Sequence, residues 1–85
     1  MEIYLTILRT EVGTVVTDAY RDFEEAVDRA REMFEDEMTY YGEEVYKNSN
    51  HRPFSYSETA RMGKGYIKVN KDNFSEIILQ PVDLW

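Results

Sequence analysis

Residues 22–42 read DFEEAVDRAREMFEDEMTYYG. From Phe23 the apolar positions fall at 23, 26, 27, 30, 33, 34, 38 and 41, the spacing of one helix face. The stripe holds Phe23, Ala26, Val27, Ala30, Phe34, Met38 and Tyr41, with Met33 at its edge. Asp22 supplies an acceptor suited to an N-cap, Glu25 stands three residues on as in a capping box, and Gly42 offers a left-handed stop. One long amphipathic helix with one apolar face calls for one sheet to bury it.

Strands flank the helix on both sides. Ile3 to Thr10 and Thr14 to Thr17 are β-rich and separated by Glu11-Val12-Gly13, a hairpin signal. After the helix, in Glu43 to Arg52, Glu44-Val45-Tyr46-Lys47 could add a helical turn, while Asn48-Ser49-Asn50 and Pro53 argue for a loop; Phe54 to Ser57 alternates as a strand does, with pairing extending toward Met62. Gly63-Lys64-Gly65 is expected to turn the chain into a strand at Tyr66 to Val69. Asn70-Lys71-Asp72-Asn73 turns it again, and Phe74 to Gln80 forms the last strand, ended by Pro81. The order β-β-α-β-β-β predicts a single α+β domain over residues 1–85, with a four- to five-stranded antiparallel sheet packed on one amphipathic helix. The expected core holds Ile3, Leu5, Ile7, Val15, Phe23, Val27, Ala30, Phe34, Met38, Ile67, Val69, Ile77 and Leu79. The other sheet face is left open and could support a homodimer.

The chain has 85 residues, no cysteine and a formal net charge of −7. The missing cysteines exclude disulfides, thiolate metal sites and cysteine nucleophiles. The start Met1-Glu2-Ile3-Tyr4 has no basic run before an apolar stretch, and no segment approaches a membrane span, so a cytoplasmic protein is expected. The charge is uneven. Residues 18–44 carry eleven acids and three bases, whereas residues 45–85 carry four acids and six bases. Such acidity repels nucleic acid and anionic membranes and points to a basic protein as partner.

The acids concentrate on the helix. Opposite the apolar stripe lie Glu24, Glu25, Asp28, Glu32, Glu35 and Asp36. Glu25 can pair with Arg29, and Arg31 can offset Asp28. Asp28 with Glu32, and Glu32 with Asp36, are like charges one turn apart, each costing a few tenths of a kcal/mol. Glu35, Asp36 and Glu37 also oppose the helix dipole in the last turns. A surface chosen for stability alone would place Lys or Arg there. Carboxylates about 5–6 Å apart on a rigid helix resemble a line of phosphates. Tyr40 and Tyr41, with Tyr46, surround the helix end and suit an interface. The expected partner-binding set is therefore Glu24, Glu25, Asp28, Glu32, Glu35, Asp36, Tyr40 and Tyr41, although a solvated helix face would also account for the acids.

Other constellations are weak. The acids lack the alternating ligand spacing and glycine turn of a calcium loop, and they line no cleft for glycosidase chemistry. His51, the one histidine, sits in a polar loop with no orienting partner or nucleophile. No catalytic residue, metal site or cofactor is expected, so the chain reads as a non-enzyme. Arg61, Lys64, Lys68 and Lys71, with Tyr66, form a modest basic patch that would pair with the acidic segment or, as the alternative site of Arg61, Lys64, Lys68 and Tyr66, hold a phosphate-bearing ligand such as a sequestered nucleotide; a structural or adaptor domain is a third reading. In size and composition, though through no motif, the chain resembles small acidic accessory proteins of phages and mobile elements. Some of those block host nucleases and other defence proteins by imitating nucleic acid. That resemblance implies an inhibitor occupying a basic, nucleic-acid-binding surface.

Overall fold

The computed structural model of the chain describes residues 1–10, 12–41, 52–68 and 74–84. The expected stop at Gly42, residues 43–51 of the segment expected as loop or added helical turn, Val69 and the expected turn at 70–73 lie outside the described residues, while Arg52 and Pro53 already belong to the third strand. The elements are β1 (Glu2–Arg9), β2 (Val15–Tyr20), α1 (Phe23–Tyr41), β3 (Arg52–Ser57), β4 (Met62–Lys68) and β5 (Phe74–Asp83). They form a five-stranded sheet in the order β2-β1-β5-β4-β3, antiparallel throughout, with α1 across one face. This is the α+β architecture that the helical stripe and the flanking strands predict.

The helix begins where Asp22 caps it: its Oδ1 accepts the Glu24 N–H at 3.1 Å, and its carbonyl accepts from Ala26 at 3.2 Å. Ala26, Val27, Ala30, Met33 and Met38 are buried against the sheet. Met33, expected at the stripe's edge, is inside it. Small alanines let the helix approach closely, and Ile67, Ile77 and Leu79 fill the space beneath with no exposed surface.

The buried face of β1 corrects the expectation. Tyr4, Thr6 and Leu8 face the helix, Tyr4 packing with Ala26, Val27 and Leu79, and Leu8 with Ala30, Met33 and Ile77. Ile3, Leu5 and Ile7 therefore stand on the opposite, open face, because successive strand residues alternate sides. Val15, also expected inside, is 57% exposed beside Arg9. Both sets of β1 side chains suit a strand, so alternation alone does not choose the face. Tyr4 decides it physically. Its ring meets Phe23 edge-on at 5.3 Å, while its hydroxyl stays at the rim with Glu2 and Arg61.

The expected turn at Gly63-Lys64-Gly65 is instead part of β4, and the hairpin turns at 58–61. Arg61 adopts the left-handed conformation there (φ 55°) and donates its N–H to the Ser57 carbonyl at 2.7 Å. The glycines serve packing. A Cβ on Gly63 would meet the Phe54 ring at 2.6 Å, and one on Gly65 would meet the Phe54 backbone at 2.8 Å. At the first hairpin the glycine expectation holds: Gly13 has φ 88° and donates to the Thr10 carbonyl at 3.0 Å. Pro81 does not end β5, which runs to Asp83. The β4 ladder stops near Leu79, so beyond it β5 has β1 as its neighbour on one side, and a strand with a vacant side tolerates proline.

Candidate functional site

The outward face of α1 carries the acidic surface. Glu24, Glu25, Asp28, Glu32, Glu35 and Asp36 are all exposed, and the last helical turn holds no basic residue. The two helix arginines do not serve these acids as the sequence suggests. Arg29 turns from Glu25 to the sheet edge, where its Nε donates to Asp18 of β2 at 2.9 Å and its other arm pairs with Glu32 at 2.8 Å. The hydrogen bond with Asp18 pushes the Arg29 guanidinium further above its ordinary value, so it stays charged. Arg31 turns the other way, its guanidinium 5.4 Å from the centre of the Tyr56 ring on β3. Both cations thus tie the helix to opposite sheet edges. Among the described residues, Glu24, Glu25, Asp28, Glu35 and Asp36 make no ion pair. Tyr40 stands at the far end of this face, 80% exposed, and Tyr41 closes the helix with its side chain outside the described residues.

The alternative basic site does not assemble as one cluster. Lys64, Tyr66 and Lys68 share the open face of β4. Arg61 sits at the hairpin turn on the helix side, donating to the Tyr4 hydroxyl at 2.9 Å with its guanidinium 5.5 Å from the Phe23 ring. It lines a hollow of about 490 Å³ with Asp22, Glu24 and Glu58, where acids offset it. The Tyr4 phenol lies above its ordinary value, chiefly through its hydrogen bond to Glu2 and then through burial, while Arg61 pulls the other way. Arg52, which the sequence reading omits, takes Arg61's place. Its guanidinium lies 5.9 Å from the Tyr66 ring, and both line a groove of about 570 Å³ with Pro53, Ser55 and Lys64. The missed signal is the Arg52-Pro53 step, where the β3–β4 register shifts and aims Arg52 at Tyr66.

The open face of the sheet is the second surface of note. Its centre is mainly apolar, with Ile3, Leu5 and Ile7 of β1 beside Val82, Gln80 and Ile78 of β5. At one end lies a charged row. Glu76, whose side chain is only 15% exposed, sits between Arg9 at 3.8 Å and Lys64 at 3.4 Å. His51 lies outside the described residues. Among the described residues no group of three or more His, Cys, Asp or Glu is placed to hold a metal ion, and no helix is long and apolar enough to cross a membrane. Comparison with protein-family models, curated proteins and solved structures found no match to this chain.

Proposed function

We propose that the chain is a non-catalytic inhibitor whose acidic helix occupies a basic, nucleic-acid-binding surface of another protein. The observation that carries this reading is the reach of Arg29 and Arg31 to the sheet edges: Arg29 keeps Glu32 alone of these acids, and Glu24, Glu25, Asp28, Glu35 and Asp36 are left exposed without an ion pair among the described residues. A partner with Arg and Lys arranged for phosphates would supply those cations. The helix is rigidly seated on the sheet through Ala26, Ala30 and Met33, so little ordering entropy opposes docking. The fitting partner is a nucleic-acid-binding enzyme or defence complex, the kind of target blocked by the phage and mobile-element proteins that this chain resembles in size and composition.

The test is reversal of charge at Glu25, Asp28, Glu35 and Asp36 to Lys. A basic partner captured by the wild type at low salt should be released at high salt. Nucleic acid should displace it, and the reversed variant, folded by circular dichroism, should not capture it. Capture by the reversed variant at wild-type strength overturns the proposal. A second reading, a nucleotide held by Arg52, Lys64, Lys68 and Tyr66, rests on the β3–β4 groove. It requires a thermal shift with at least one compound of a nucleotide panel, since bound ligand raises stability.

A further inference from the structure

We infer that the open face of the sheet pairs with the same face of a second copy, making a two-layer sandwich with the acidic helices outside. The inference stands on the sheet alone and holds whether or not the acidic helix has a partner.

The first observation is an inverted pattern in β1. An antiparallel sheet with one wet face normally turns apolar side chains inward and polar ones outward. Here the inward set includes Thr6, fully buried, while the outward set is Ile3, Leu5 and Ile7. On β5 the outward positions include Ile78 and Val82, with the one amide of Gln80 between them opposite Leu5. A contiguous apolar patch of this kind on a small domain marks a covered surface.

The second observation is that the register makes the face complementary to itself. Sheets packed face to face keep their strands within about 30° of one another. Consider a two-fold axis parallel to the strands and lying above the gap between β1 and β5. Rotation about it places β1 of the second copy over β5 of the first, residue for residue along the existing ladder. Ile7 then lies over Ile78, Ile3 over Val82, and Leu5 over the Gln80 side chain between them, because these pairs are already cross-strand neighbours. By the same operation β2 lies over β4. Val15, 57% exposed, meets Tyr66, and Ala19 meets Met62, 51% exposed. Arg9 meets Glu76 of the other copy, and the reverse, so the charged row is matched rather than opposed.

The area sets the strength. Four strands about 4.8 Å apart and seven residues at about 3.4 Å span roughly 19 by 24 Å. That is about half, in projection, of the ~800 Å² per partner in a standard stable interface. The dimer is therefore a concentration-dependent one. Its driving force is apolar, so it persists in salt that would release a partner from the acidic helix.

The experiment is sedimentation equilibrium of the intact chain from low micromolar to near-millimolar concentration. The average mass should rise from the 10.1 kDa of one chain toward twice that value. Ile78→Lys should stay monomeric at every concentration with an unchanged circular dichroism spectrum. A second test avoids the apolar patch. Arg9→Glu and Glu76→Arg should each weaken self-association at least tenfold, since each sets like charges across the axis. An equal mixture of the two variants should recover it. In the mixed dimer the two substituted positions face each other as an exchanged ion pair, and the two unsubstituted ones face each other as the native pair. A wild type monomeric throughout overturns the inference and leaves the face to a different partner. Full association by folded Ile78→Lys, or a mixture no better than its components, also overturns it.

Discussion

The two faces of this domain differ in a way that net charge conceals. The helix face is polar, holds six exposed acids against two arginines, and has both arginines drawn to the sheet edges. The open sheet face is apolar at its centre and carries Arg9, Arg52, Lys64 and Lys68 against Glu76. A chain with an overall charge of −7 is therefore acidic on one side and locally basic on the other. The helix face offers long-range, salt-sensitive attraction. The sheet face offers short-range apolar contact, with Arg9 and Lys64 already paired to Glu76 within the chain. Two surfaces with such different physics suit two different contacts.

The sharpest way to break this contrast uses neighbouring residues on β5. Ile77 has no exposed surface beneath Ala30 and Met33, whereas Ile78 lies on the open face. Ile77→Ala should lower unfolding free energy by about 3 kcal/mol, the cost of lost transfer energy plus a cavity. Ile78→Ala, in dilute solution, should cost under about 1 kcal/mol, because its surroundings can relax into solvent. Urea denaturation of both variants checks the pair. Equal costs in dilute solution would mean that the open face is packed within the monomer and that the two faces do not differ as described.

The sequence makes the helix legible because its period and its cap at Asp22 agree, and β5 is legible in parity because Ile77 and Leu79 bracket Ile78. β1 is not, since Ile3, Leu5 and Ile7 look more like a core than Tyr4, Thr6 and Leu8 do. Its facing depends on Tyr4 finding Phe23 and Arg61, contacts distant in sequence. Gly63 and Gly65 mislead for a similar reason. Glycine signals a turn or a close approach, and here the Phe54 ring and backbone occupy the space that side chains would need. The acidic residues of the candidate site are legible one by one. That Arg29 leaves Glu25 for Asp18 and Glu32, and Arg31 leaves Asp28 for Tyr56, is not, because local spacing favours Glu25 and Asp28, and only the assembled sheet brings Asp18 and Tyr56 within reach.

A second prediction sharpens the helix side. If the acids are kept for a partner, relieving their repulsion should stabilise the fold. Asp28→Lys with Asp36→Lys places opposite charges beside Glu24 and Glu32 and sets a cation in the latter half of the helix. The double variant should gain about 1 kcal/mol, raising the melting temperature by about 4–8 °C at low salt and less at high salt. The same variant should bind the basic partner more weakly. A gain in stability with a loss in binding is the signature of a surface selected for contact. Unchanged or lowered stability would show that the like charges carry no folding penalty, and the case for a partner would lose its physical basis.

The smallest effect is expected at Thr6, where the contrast between the faces is inverted. Thr6 is fully buried on the helix side, and its hydroxyl finds no hydrogen-bond partner. A buried hydroxyl without a partner carries a desolvation cost that nothing repays, while a methyl of the same shape would not. Thr6→Val keeps the branching that suits a strand and should raise unfolding free energy by about 0.5 kcal/mol, read as a small rise in the urea midpoint with an unchanged slope. Ile7→Val, one residue on and facing outward, should leave monomer stability nearly unchanged while weakening self-association. If Thr6→Val instead destabilises the domain, the hydroxyl has a partner such as a buried water. Thr6 would then be a satisfied polar site in the core, and the inverted pattern of β1 would owe less to a covered outer face.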